Sequence, residues 1–115
     1  MKKFAELQYV RPDMEKIFAR VSGDIAVLKE AKSYEEFRNA YMDYVEADTE
    51  LETSKTIAHV RNTINLLDEF YEAEMVYFNS QMPKYEILKK EMGEVIVASP
   101  FKAEMEKEFG TILIQ

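Results

Sequence analysis

A single imidazole is the only histidine side chain this chain offers for metal chemistry. His59 is followed by Val60, Arg61 and Asn62, and there is no second His. A zinc hydrolase needs clustered His and carboxylate ligands, for example His-Glu-x-x-His on one helix face, and this sequence cannot supply them. A carboxylate-bridged two-metal bundle needs Glu-x-x-His on two helices; the residue three before His59 is Thr56. The absence of cysteine removes thiolate zinc sites, disulfides and cysteine nucleophiles. No glycine-rich loop is present to cradle a phosphate, and no serine sits in a nucleophile elbow. Carboxylates do come in pairs: Glu35/Glu36, Glu50/Glu52, Glu72/Glu74 and the run Glu104/Glu106/Glu108. Most fall opposite the apolar stripes traced below, so they read as a solvated acidic surface. No catalytic, metal-ligating or cofactor-binding residue is assigned.

His59 and Arg61 lie two apart, which places them on divergent faces of a helix. His59 reads as a half-buried hydrogen-bonding side chain. Arg61 and Asp68 flank a helix junction, where either an ion pair that fixes the junction or a ligand contact suits them. The seven Met, seven Tyr and seven Phe recur in regular stripes and read mainly as core. Tyr41, Tyr44, Tyr71, Tyr77 and Tyr85 are amphipathic enough to edge an interface, and Met-rich faces adapt to partners.

The bulk composition narrows the partners. Lys and Arg number 15 against 22 Asp and Glu, a net charge of −7. That balance opposes nucleic acid, whose affinity rests on phosphate neutralisation, and anionic lipid surfaces. No apolar run approaches the roughly 18 residues of a spanning helix. Glu6, Gln8 and Arg11 interrupt any signal-peptide core behind Lys2 and Lys3, so a cytoplasmic location is expected.

The elements that must position these side chains are helical. Glycine occurs only at 23, 93 and 110 and proline only at 12, 83 and 100. The stretch from Asp24 to Met82 holds neither and is rich in Glu, Ala, Leu, Lys and Met. The fold class expected is all-α: one domain, an antiparallel bundle of three long helices plus a short fourth. Residues 1–11 are read as extended. A first helix spans 12–31, with Pro12 in its first position and a stripe of Met14, Ile17, Phe18, Val21, Ile25 and Leu28. Gly23 within it suits close approach of another helix. Ser33-Tyr34-Glu35-Glu36 is a capping box opening a second helix over 34–64. Its stripe runs Phe37, Ala40, Tyr41, Tyr44, Ala47 and Leu51, then Ile57, Val60, Ile64 and Leu67; a break near Ser54 is the alternative. Asn65 or Asp68 caps a third helix over 66–98, whose stripe from Tyr71 to Val95 keeps its phase through Pro83. Ser99 and Pro100 start a fourth over 100–109, which Gly110 ends. The apolar residues 111–115 are read as a chain cut before its next element.

Three stretches carry a family resemblance. They are Tyr9-Val10-Arg11-Pro12-Asp13, the junction from Ile57 to Glu74 with its Arg-x-Thr-Ile and Asp-x-Phe-Tyr-x-x-Glu elements, and Ser99 to Gly110. In this order and spacing they resemble the N-terminal region of oligoendopeptidase F-like zinc metallopeptidases, relatives of thimet oligopeptidase. His59 departs from the family, which commonly has an aromatic or aliphatic residue there and a His after the Arg, where this chain has Asn62. The resemblance implies a much longer parent chain with its His-Glu-x-x-His motif and zinc far downstream, so no catalytic or metal-binding residue carries over. It also implies that these helices wall part of a closed cavity that admits short, unfolded peptides. The chain alone is then no enzyme and holds no cofactor, and its partner is the remainder of the peptidase. Tyr9, Arg11, His59, Arg61, Asp68, Phe70 and Tyr71 are the candidate junction or interface residues. The alternative is a stand-alone helical interaction module that self-associates as a homodimer.

Overall fold

The computed structural model describes residues 8–110, and within them every regular element is a helix. The helices are α1 (Met14–Glu30), α2 (Tyr34–Ile64), α3 (Glu69–Ala98) and α4 (Lys102–Phe109). The chain is an all-α bundle. The part of the extended segment before Gln8, and the apolar residues 111–115, lie outside the described residues.

Helix α1 starts two residues later than the expected 12–31, because Asp13 and not Pro12 sets its start. The Asp13 carboxylate accepts from the Lys16 amide at 3.2 Å, as an N-cap side chain does. Pro12 therefore sits just outside. Ser33 caps α2 by accepting from the Glu36 amide at 3.2 Å, but Glu36 returns to the Lys32 amide at 3.3 Å, one residue earlier than a reciprocal box would have it. Helix α2 runs unbroken through Ser54 for 31 residues.

The expected start of the third helix at 66 is corrected to Glu69. Asn65 is the C-cap of α2, its amide donating to the Arg61 carbonyl, and the Asp68 carboxylate accepts from the Phe70 amide at 2.9 Å. Helix α3 continues through Pro83. Ser99 closes α3: its hydroxyl donates to the Ile96 carbonyl at 2.8 Å and accepts from the Phe101 amide at 3.2 Å. That turn delays α4 to Lys102 instead of 100. Gly110 ends α4 at φ 84°, the left-handed region that favours glycine.

Side-chain pairs fix the directions. Tyr85 donates to Asp48 and Arg61 to Tyr71, so α2 and α3 run antiparallel. Tyr77 reaches the Pro12 carbonyl and Lys29 reaches Glu91, so α1 runs parallel to α3. The core joins Met14, Phe18, Val21, Ile25 and Leu28 of α1 to Phe37, Tyr41, Ala47 and Leu51 of α2 and Phe78, Tyr85, Met92 and Ile96 of α3. Met105 of α4 completes it. Gly23 meets no neighbour: a Cβ there would find nothing within 4 Å, so no helix approaches it. The α2 stripe also leaves the core sooner than its period suggests. Ile57 is buried, but Ile64 and Leu67 are exposed, because α1 does not reach that far. Seventeen residues of α1 span about 26 Å, whereas the 31 of α2 span about 46 Å. Among the described residues no helix is long and apolar enough to cross a membrane.

Candidate interaction surface at the α2–α3 hairpin

Where α2 and α3 outrun α1, the extended residues 8–13 lie against them and are fastened by a buried carboxylate. Glu74, on the first turns of α3, is only 3% exposed. Its Oε1 accepts from the Tyr9 hydroxyl at 2.7 Å and from Arg11 Nε at 2.9 Å, and its Oε2 accepts from Arg11 Nη2. The guanidinium is thus bidentate, the geometry that suits Arg to a carboxylate. That bond to Arg11 is the main cause that holds the Glu74 carboxyl below its usual range, against the cost of burial. The Tyr9 hydroxyl is pushed up, first by burial and then by its bond to Glu74. Arg11 also lies over the Tyr77 ring at 4.1 Å, and the Tyr77 hydroxyl donates to the Pro12 carbonyl at 3.2 Å.

An aromatic cluster continues from this latch. The Tyr9 ring meets Phe70 at 6.1 Å and Tyr71 at 5.7 Å, both edge-on, the favoured arrangement for ring quadrupoles. Arg61 Nη1 donates to the Tyr71 hydroxyl at 3.0 Å, which ties the end of α2 to the start of α3. Beyond the cluster the hairpin is bare. Ile64, Leu66, Leu67 and Phe70 are all exposed, Leu67 at 92%. The exposed side of α3 continues from there through Ala73, Val76, Ser80, Pro83 and Ile87, a three–four spacing free of charge.

The structure therefore draws Tyr9, Arg11, Arg61, Phe70 and Tyr71 into one cluster. Asp68 stays beside it as the cap of α3. His59 is not half-buried: its side chain is exposed, and its carbonyl accepts from Thr63 Oγ1 at 2.9 Å. Glu74 and Tyr77 were not singled out for this role by sequence reasoning. Glu74 was grouped with Glu72 as surface charge, although it closes the Asp-x-Phe-Tyr-x-x-Glu element, and that element was the available signal. Among the described residues no three His, Cys, Asp or Glu side chains converge as a metal site.

The comparisons with known proteins agree with one another. The model of the Peptidase M3 N-terminal domain matches residues 4–115. Among curated proteins, none matches the chain. A solved structure of PZ peptidase A with inhibitor 2 is similar at 29% identity and a TM-score of 0.92, over 97% of this chain and 20% of that one. An X-ray structure of a putative oligoendopeptidase F is similar at 30% identity and a TM-score of 0.93, over 99% and 20%. The chain thus spans about a fifth of the length of either. With nearly all of its residues matched by one family model and its backbone superposable on two peptidases, the chain belongs to the peptidase M3 N-terminal domain family.

Proposed function

We propose that this chain is the non-catalytic N-terminal helical domain of an oligoendopeptidase F-like zinc metalloendopeptidase and forms part of the wall of its oligopeptide-binding cavity. Family membership supports the first part. The observation that carries the second is the bare hairpin, where Ile64, Leu66 and Leu67 stand exposed beside the half-covered Phe70. Exposed apolar side chains gathered at one tip suit the seating of another polypeptide. In this reading that polypeptide is the remainder of the peptidase. Zinc and the residues that hold it belong to that remainder. The helices contribute sterics: a stiff wall that keeps folded proteins away from the scissile bond. A cysteine-free domain of this kind suits a reducing cytoplasm.

The test is a chimera in which this chain replaces the matching fifth of PZ peptidase A. It is expected to cut oligopeptides and to spare folded proteins. The purified chain alone, given zinc, is expected to cut neither; turnover that survives removal of contaminating protease would sink the non-catalytic reading. A chimera that digests folded proteins would sink the wall.

The same bare tip favours a second reading, a stand-alone module that pairs with its own copy. Light scattering separates the two. A concentration-dependent dimer abolished by Leu67→Asp supports self-association, and a monomer at high concentration removes it.

A further inference from the structure

A second buried carboxyl, far from the hairpin, has no assigned role. Asp24 sits in α1 between Val21, Ile25 and Leu28, 9% exposed, inside the apolar arc that faces α2. One of its oxygens, Oδ2, is buried without a hydrogen-bond partner. Arg20, one turn before Asp24 on the same side of α1, reaches across the seam to Asp43 of α2, which brings that carboxylate beside Asp24. Asp43 is held by Arg20, whose Nη2 donates to Oδ1 at 2.8 Å and whose Nε lies 3.1 Å from Oδ2. The same guanidinium is 3.7 Å from Glu46 and 3.6 Å from Glu50. One cation thus serves three carboxylates on α2, and Asp24 adds a fourth carboxyl on α1. Other charges that bridge α1 to its neighbours are engaged elsewhere. Lys84 of α3 lies over the Phe18 ring at 4.6 Å, and Lys29 pairs with Glu91 at 3.0 Å. No metal site is formed by this cluster.

We propose that Asp24 and Asp43 share one proton across the α1–α2 seam, so that the packing of α1 on α2 is acid-favoured and loosens as the pH rises through neutrality. A protonated Asp24 donates to the Asp43 carboxylate, and Arg20 balances the single remaining charge. Without the proton, two neighbouring carboxylates would both be charged in a partly dry seam, and like charges repel.

The ionisation directions agree with that arrangement. Burial, and then the bond to Asp43, push the Asp24 carboxyl up to about 7. Arg20 first, then Asp24, hold the Asp43 carboxyl below its usual range. The sign follows from linkage. Below the ordinary carboxylate range, folded and unfolded chains both carry the Asp24 proton, and its stabilisation is fully present. Between that range and about 7 the unfolded chain has released the proton and the folded one has kept it, so each rise in pH favours unfolding. Above about 7 the folded domain releases it too, and the stabilisation is gone.

Urea denaturation of the whole 115-residue chain tests this, with the side-chain carboxyl carbons of Asp24 and Asp43 followed by NMR. The Asp24 carbon is expected to titrate near neutrality. The urea midpoint of wild type relative to Asp24→Asn is expected to fall between about pH 5 and about pH 8, with the variant ahead at the upper end. Asp24→Asn keeps the donor without the charge. In Asp43→Asn, Asp24 gains Arg20 and loses its charged neighbour, so its carbon is expected to titrate well below the wild-type midpoint. An Asp24 carbon that titrates in the ordinary carboxylate range in wild type overturns the proposal. So does an Asp24→Asn midpoint that stays below wild type at high pH.

Discussion

At one end of the long α2–α3 pair the chain folds back over the helices; at the other, less of the described chain covers them. The first end is closed by α4. Met105 is fully buried there, Phe101 meets Phe37 at 5.3 Å, and Phe109 meets Tyr41 at 5.0 Å. Polar side chains rivet the closure: Tyr34 and Arg38 both donate to Glu108. At the second end the only cover among the described residues is the segment 8–13, fastened through Glu74, and it reaches Tyr71 and one side of Phe70. Ile64, Leu66 and Leu67 have none. Both ends carry large apolar side chains. What differs is whether the described residues supply the second surface. Burial of apolar area stabilises by roughly 25 cal/mol per Å², and the hairpin leaves that gain unrealised.

The largest effect that can break this comparison lies at the closed end. Phe37→Ala removes a fully buried ring that touches α4 and should cost about 3–5 kcal/mol, read as a shift in the urea unfolding midpoint. A loss below about 1 kcal/mol would mean that α4 is not seated in solution and that both ends are open.

The latch comes next. Glu74→Gln removes the charge that Arg11 and Tyr9 share and should cost about 1.5–3 kcal/mol at neutral pH. The pH dependence checks the cause. The Glu74 carboxyl is held below its usual range, so its contribution is present above that range and is lost as the pH falls through the folded value. Wild type and variant should therefore converge in acid. This slope runs opposite to that expected of Asp24. A gap between the two proteins that stays constant down to low pH would point to packing instead of charge.

Much of this contrast was legible in the sequence, and the part that was not has one physical origin. The long run without Gly or Pro announced α2, and the unbroken phase of the stripe carried α3 through Pro83. Periodicity reports which side of a helix is apolar. It is silent on whether anything lies opposite, so Ile64 and Leu67 read as core although they stand in the open. The same limit hid the carboxylates. Glu74 is buried because Arg11, 63 residues away in the chain, meets it, and no local pattern around residue 74 encodes that meeting. Asp24 was visible in principle, since it falls three after Val21 and four before Leu28, within the apolar arc. Its partner on another helix was not. Candidate contacts were recognisable where a motif joined them, as in Asp-x-Phe-Tyr-x-x-Glu, and invisible where only the fold did.

A smaller effect sharpens the comparison from the side of α1. Gly23 lies mid-helix, exposed, with open space where a Cβ would stand. Gly23→Ala should raise stability by up to about 1 kcal/mol, because alanine loses less backbone freedom in a helix. Absence of any gain by thermal or urea unfolding would mean that this face of α1 is also occupied in solution.

The smallest expected effect is the most telling. Leu67→Ser alters a side chain that is 92% exposed and lies outside any helix. It should move the urea midpoint by no more than about 0.5 kcal/mol equivalent, in either direction. The same substitution should reduce binding of a dye that reports exposed apolar surface, because the tip is where that surface is concentrated. The two readouts must separate. A core leucine would lose stability without gaining solubility; a leucine that waits for a partner does the reverse. If Leu67→Ser unfolds the domain as readily as Phe37→Ala does, the hairpin is covered in solution by this chain's own residues, and the difference between the two ends disappears along with the reason to place another polypeptide there.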